Sequence, residues 1–220
     1  VCSSDLEIDG VAADTMVTEQ AVELLRGRPG SEVTVRILRP GIEEPIEFTI
    51  AREVIVLKAV PFSLMLDDRV GYVPLLSFRE TSTTEIRAAI DSLRGEGMRS
   101  LVLDVRGNPG GLLDQGIAVS DLFLSEGQGI VETRGRDTSQ NETYAAQNPD
   151  QYPDMPLVVL VDQASASASE IIAGALQDHD RAVLIGETTF GKGSVQSLYR
   201  LTGGDVLRLT TAKWYTPVGR

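Results

Sequence analysis

Histidine, lysine and cysteine are all scarce in this chain. Of 220 residues, one is histidine, one is cysteine and three are lysine (Lys58, Lys192 and Lys213); arginine supplies the other positive charges. With Cys2 as the single cysteine, the chain needs no disulfide. The single histidine, His179, stands in Gln177-Asp-His-Asp180, read here as a solvated turn whose acidic neighbours favour the charged ring. A general base is therefore sought elsewhere. Arginine cannot release its proton in a protein, whereas a lysine taken out of water can, because desolvation disfavours the ammonium. Positive charge as a whole is outnumbered, 20 Lys and Arg against 32 Asp and Glu, for a net charge of −12. Such a surface repels a phosphate backbone and argues against nucleic-acid binding. No apolar run is long enough to span a bilayer, and no signal peptide is visible. Membrane attachment would have to come through sequence upstream.

One stretch, Ala164 to Gln196, gathers the groups that chemistry needs. Ser165, Ser167 and Ser169 alternate with alanines ahead of the apolar helix start Ile171-Ile-Ala-Gly-Ala-Leu176. Serine is a preferred helix cap, so capping accounts for some of them, and spacing alone does not choose a nucleophile. A strand-like run, Ala182-Val-Leu-Ile-Gly186, comes next, and then Lys192 between two glycines. Glycines let that backbone approach another element closely. If a strand begins at Lys192, Gln196 shares its face and can accept a lysine N–H, aiming the amine. Gly186-Glu-Thr-Thr-Phe-Gly-Lys192 also has the spacing of a phosphate-binding P-loop. The next residue is Gly193 rather than the Ser or Thr that holds magnesium, and a strand is expected where a helix is required, which argues against nucleotide binding. A second candidate element, Arg106-Gly-Asn-Pro-Gly-Gly111, joins the apolar strand Ser100 to Val105 to a helix. A glycine turn at a helix start presents backbone N–H groups as an anion-binding concavity, though an ordinary connection would read the same.

Four motifs in order carry a resemblance to a known family: Asp104-Val-Arg-Gly-Asn-Pro-Gly-Gly111, Ser165-Ala-Ser-Ala-Ser-Glu170, Gly186 to Gln196, and Thr211-Ala-Lys-Trp-Tyr-Thr-Pro217. The chain resembles the carboxyl-terminal processing proteases, also called tail-specific proteases, of peptidase family S41, from about Glu7 to its end. Ala164 and Pro74 depart from the usual pattern; Pro74 suits an edge strand. The resemblance implies an α/β core of crotonase-like (ClpP-like) fold. It implies that Ser167 is the nucleophile, Lys192 the general base and Gln196 the residue that orients it. It places the oxyanion hole at the amides of Ala168 and Gly110, with Gly111 as the near alternative. No metal or cofactor is required. The implied substrates are protein or peptide chains with free C-terminal tails, and the implied location is the bacterial cell envelope, periplasmic or membrane-anchored. Activity is expected to rise with pH as the lysine loses its proton. A non-catalytic peptide-binding module on the same fold is the rival reading.

Residues 1–6, Val1-Cys-Ser-Ser-Asp-Leu6, lack an initiating methionine and resemble a translated sequencing adapter; the natural protein is expected to start upstream of Glu7. Residues 7–54 read as a helix capped near Thr18 and then paired strands, Ser31 to Leu38 and Pro45 to Ile50, joined by a turn at Pro40-Gly41. This resembles the C-terminal half of a PDZ domain, a fold that takes extended peptides by strand addition. Residues 55–70 form a connector, and a strand is expected from Glu53 to Leu57 at its start. Residues 71–220 make the protease core, expected to be cut short at its C-terminal end. Within it a helix is expected over Thr83 to Leu93, another over Leu113 to Leu124, strands at Gly129 to Thr133 and Leu157 to Val161, and a long polar surface loop from Arg134 to Met155.

Overall fold

The computed structural model describes residues 5–220; most of the adapter-like hexapeptide, with Cys2, lies outside them. The chain divides into two compact units, Val1–Val56 and Leu57–Arg220. In the first, β1 (Asp5–Ile8) turns into β2 (Val11–Ala12), α1 (Thr18–Leu25) comes next, and β3 (Glu32–Ile37) pairs antiparallel with β4 (Ile46–Ala51). The sheet order is β2-β1-β3-β4, over a small core of Ile8, Ala21, Val33 and Val35. Arg52 closes the end of α1: its guanidinium donates to the Leu24 and Leu25 carbonyls at 2.7 and 2.9 Å. The strand expected from Glu53 to Leu57 does not form. Val54, Ile55 and Val56 are 73%, 80% and 79% exposed. Strand preference in such residues reflects packing against neighbours, and no described strand lies alongside to supply it.

The second unit contains β5 (Leu64–Met65), β6 (Val70–Pro74), α2 (Ser82–Gly95), β7 (Ser100–Asp104), α3 (Leu113–Asp121), β8 (Gly129–Gly135), β9 (Glu142–Ala145), β10 (Leu157–Val161), α4 (Ala168–Asp178), β11 (Val183–Gly186), β12 (Ser194–Arg200) and β13 (Val206–Tyr215). One sheet has the order β11-β10-β7-β6-β5, with β6, β7, β10 and β11 mutually parallel. The other, β12-β13-β8-β9, is antiparallel. Parallel strands need crossover connections, and the alternation of strands with α2, α3 and α4 supplies them. Leu101, Leu103, Leu157 and Val159 from the parallel sheet are buried with Ile86, Ile90 and Leu93 of α2 and Ile171, Ile172 and Leu176 of α4 in one core. Pro74 is the last residue of β6, which lies second from the sheet edge rather than at it. It is tolerated because β5 reaches only Gly71 and Tyr72, so no strand needs the N–H that proline lacks.

The polar stretch from Arg134 to Met155 is not the long surface loop its composition predicts. β8 extends to Gly135, β9 pairs back onto it, and Ala146, Tyr152 and Met155 are buried. The anchor is Arg181, which lies beyond the stretch in sequence. Its guanidinium pairs with Asp150 at 2.9 Å and donates to the carbonyls of Phe123, Met155 and Tyr152 at 3.0, 2.9 and 2.6 Å. Both partners of the ion pair are nearly out of solvent, with side chains 14% and 8% exposed. Arg181→Met is therefore expected to cost about 3 kcal/mol in urea unfolding, because it leaves the buried Asp150 without its partner. A loss below about 1 kcal/mol would show that neither the pair nor the carbonyl contacts of Arg181 hold the segment.

Candidate active site

Three segments singled out by sequence leave the carboxyl ends of three adjacent parallel strands. The glycine loop comes after β7, the serine run after β10 and the lysine loop after β11. In open α/β sheets this is the rim where ligands bind.

The three serines have different tasks. Ser165 is fully buried; its hydroxyl donates to the Val105 carbonyl at 2.8 Å and accepts the Asp162 N–H at 2.9 Å. Ser169 is also fully buried and donates to the Asn108 carbonyl at 3.0 Å. Both brace the serine turn against the glycine loop. Ser167 is half-buried and lines a cavity of about 390 Å³. It is the N-cap of α4, with φ 56° and ψ −114°, a backbone state that costs a non-glycine residue on the order of 1–3 kcal/mol. A serine held on a sharp strand-to-helix turn projects its hydroxyl away from the sheet. Its N–H is satisfied by Glu170 Oε2 at 2.7 Å.

Lys192 and Gln196 line the same cavity, with Gly111, Leu112, Leu113, Ile171, Ser194 and Trp214 among its other walls. Lys192 is half-buried. Lys192 and Gln196 share this cavity, but not by the shared-face route that alternation predicts. The strand begins at Ser194, not Lys192, and the pairing register shifts between Val195 and Gln196. A bulge re-aims the side chains beyond it, so simple alternation does not carry the argument. The lysine loop runs on into β12, a strand, where a P-loop would require a helix.

The glycine loop packs directly on the serine turn. Gly110 has φ 95°, and a Cβ built there would lie 2.6 Å from the Ala166 carbonyl oxygen and 2.8 Å from Ser167 Cβ. Its N–H donates to the side-chain carbonyl of Asn108 at 2.9 Å, while Gly111 is the glycine that lines the cavity. Asn108 is fully buried and also reaches back to the Leu75 carbonyl at 2.8 Å. Ala168 is the first residue of α4, where backbone N–H groups lack helical partners.

At the foot of the loop Asp104 is buried. Burial alone would push its carboxyl up. The hydrogen bonds from the Arg106 guanidinium and the Tyr72 hydroxyl, the latter at 2.7 Å, outweigh that and hold it below the usual carboxylate range. His179 is not the solvated turn residue its neighbours predict. It is half-buried at the C-terminal end of α4, where Nε2 lies 2.7 Å from the Gly129 carbonyl oxygen. That puts it at the opposite end from Ser167 of a helix of 11 residues, a length of about 16 Å.

Two residues central to this geometry do not stand out by residue type. Glu170 is buried and holds both the serine turn and the lysine loop, and the indole of Trp214 donates to the Lys192 carbonyl at 2.9 Å. The signal for Glu170 lies in the Ser-x-x-Glu spacing of a capping box.

A serine on a strained turn sharing a cavity with a lysine, at the carboxyl rim of a parallel sheet, is the layout of a serine-hydrolase candidate. The pattern of peptidase family S41 matches residues 69–220, and the chain belongs to that family. It is 43% identical over 217 residues to the carboxy-terminal-processing protease of Bartonella bacilliformis, covering 97% of this chain and 49% of that protein. With the carboxyl-terminal-processing protease of Synechocystis sp. the identity is 44%, over 96% of this chain and 50% of the relative. Among solved structures, a photosystem II D1 C-terminal processing protease superposes with a TM-score of 0.65 at 31% identity, over 98% of this chain and 58% of that one. The chain thus spans about half the length of the curated relatives it matches.

Proposed function

We propose that the full-length protein is a serine endopeptidase that cleaves extended protein substrates near their C-termini. Ser167 attacks the peptide carbonyl. Lys192, in its unprotonated form, takes the serine proton and returns it to the leaving amine, and Gln196 orients the lysine. Water then hydrolyses the acyl-enzyme. The oxyanion is met by the Ala168 amide, favoured by its place at the start of α4, and by the Gly110-Gly111 turn. The Gly110 N–H donates to Asn108 and Gly111 lines the cavity, which favours Gly111 as the donor from that turn. Residues 7–54 are read as part of a PDZ domain that presents substrate tails, residues 71–220 as a crotonase-like protease core, and the bacterial cell envelope as the place of action.

One observation carries this reading: of the three alternating serines, the two that flank Ser167 are buried in bracing hydrogen bonds, while Ser167 shares a cavity with Lys192 and Gln196. The test is covalent. A fluorophosphonate that labels active serines is expected to modify Ser167 in the full-length protein, read by peptide mass mapping, and Ser167→Ala should lose both label and hydrolysis. Labelling at Ser165 or Ser169 instead would overturn the assignment.

A further inference from the structure

Glu170 joins the serine turn to the lysine loop at Lys192 itself, beside a main-chain bond from the Phe190 N–H to the Ser165 carbonyl at 3.0 Å. Its carboxylate is buried at the first turn of α4 and four donors converge on it. Oε2 accepts the Ser167 N–H at 2.7 Å and the Lys192 N–H at 2.9 Å. Oε1 accepts the Gly191 N–H at 2.6 Å and the Thr189 hydroxyl at 2.8 Å. One oxygen atom therefore bridges the main-chain nitrogens of Ser167 and Lys192. On its other side the Lys192 peptide is held by Trp214, whose indole donates to the Lys192 carbonyl at 2.9 Å and whose N–H donates to the Gly193 carbonyl at 3.0 Å.

We propose that Glu170 is a positioning residue for the reaction, setting the distance between the Ser167 hydroxyl and the Lys192 amine, with Trp214 as the opposing hold. This rests on the Ser167–Lys192 reading above. Elsewhere the loop is tied by the Phe190 N–H to the Ser165 carbonyl at 3.0 Å, which leaves the Lys192 peptide itself to Glu170 and Trp214. Gly191 and Gly193 flank Lys192, and Gly191 takes φ 84°, so the segment carries no stiffness of its own. A carboxylate only accepts, which suits four donors; a carboxamide of the same shape places an NH₂ against two of them. Glutamine at this site leaves main-chain N–H groups unmatched and loosens the loop around Lys192 while keeping size and shape. Proton transfer between serine and lysine depends on hydrogen-bond reach, and a shift of about 1 Å away from it can cost about 10²-fold in rate.

The experiment compares Glu170→Gln, Trp214→Phe and Lys192→Ala in the full-length protein on one peptide substrate. Glu170→Gln is expected to lower kcat by about 100-fold with KM within about twofold, because the cavity walls that hold substrate are untouched. Trp214→Phe keeps an aromatic ring and loses one donor, and is expected to lower kcat by about 10-fold. An unchanged kcat in Glu170→Gln, or a loss carried by KM, overturns the inference. Should Glu170→Gln fail to fold, Trp214→Phe decides alone, and full activity in it overturns the two-sided hold. Lys192→Ala separates the two levels of argument. If it stays active, the dyad reading itself falls; if it is inert while Glu170→Gln is active, only the positioning role falls.

Discussion

Alanine at Lys192 is expected to lower peptide hydrolysis by about 10⁴-fold while leaving the fold intact, since removing one member of a nucleophile–base pair disables the pair as a unit. Lys192 stands on a loop rather than in the core, and its main-chain N–H and carbonyl make the bonds to Glu170 and Trp214. Truncation of the side chain should therefore change chemistry far more than stability. Lys192→Arg is the sharper variant. It keeps the charge and a comparable length, but a guanidinium does not give up its proton. The expected outcome is the same loss as for alanine. Activity in Lys192→Arg would mean that the residue acts as a fixed charge and that the proton goes elsewhere. His179 could not take over, because it caps the far end of α4 and is occupied by the Gly129 carbonyl.

The second large effect is expected at Gly110. Gly110→Ala puts a methyl group 2.6 Å from the Ala166 carbonyl oxygen and 2.8 Å from Ser167 Cβ, with φ already at 95°. The side chain cannot fit without moving the serine turn. The expectation is a stability loss of about 2–3 kcal/mol together with a fall in kcat of about 100-fold. Gly127→Ala provides the comparison. That glycine has a similar positive φ of 84° with nothing within 4 Å of the added Cβ, so it should lose about 1 kcal/mol from backbone strain and no activity. Equal kinetics in the two variants would mean that the contact with Ser167 has no catalytic consequence. Chemical denaturation and steady-state kinetics on the same preparations separate the two effects.

How much of the molecule is legible in its sequence depends on the range of the interactions involved. The α2 pattern of Ile86, Ala89, Ile90 and Leu93 is a local helical period, and all four residues are buried as it predicts. The parallel strands are short apolar runs, which also read locally. The segment from Arg134 to Met155 is misread because its order comes from Arg181, which no local pattern connects to it. The apolar run at Val54 to Leu57 fails the opposite way, since hydrophobicity without a partner surface makes no strand. At the site, residue types and spacing lead to the serine run, Lys192 and Gln196, and only the family resemblance singles out Ser167; Ser167, Lys192 and Gln196 line one cavity. The register of β12 is hidden because a bulge leaves no trace in alternation. Glu170 escapes notice because a glutamate three positions after a serine looks like routine capping. That it also reaches Gly191 and Lys192 depends on how β10 and β11 lie side by side.

The alternating serines carry one last implication. Ser165, Ser167 and Ser169 are chemically the same side chain, and only their phase relative to the start of α4 separates the cavity-lining hydroxyl from two struts. Deleting a single alanine from Ala164-Ser-Ala-Ser-Ala would leave the serine count untouched, yet it would bring the wrong neighbour to the bend and pull the carboxylate off its four donors. Position along the chain is thus the scarce resource here, and length changes in this run should prove far less forgivable than most replacements of one residue by another.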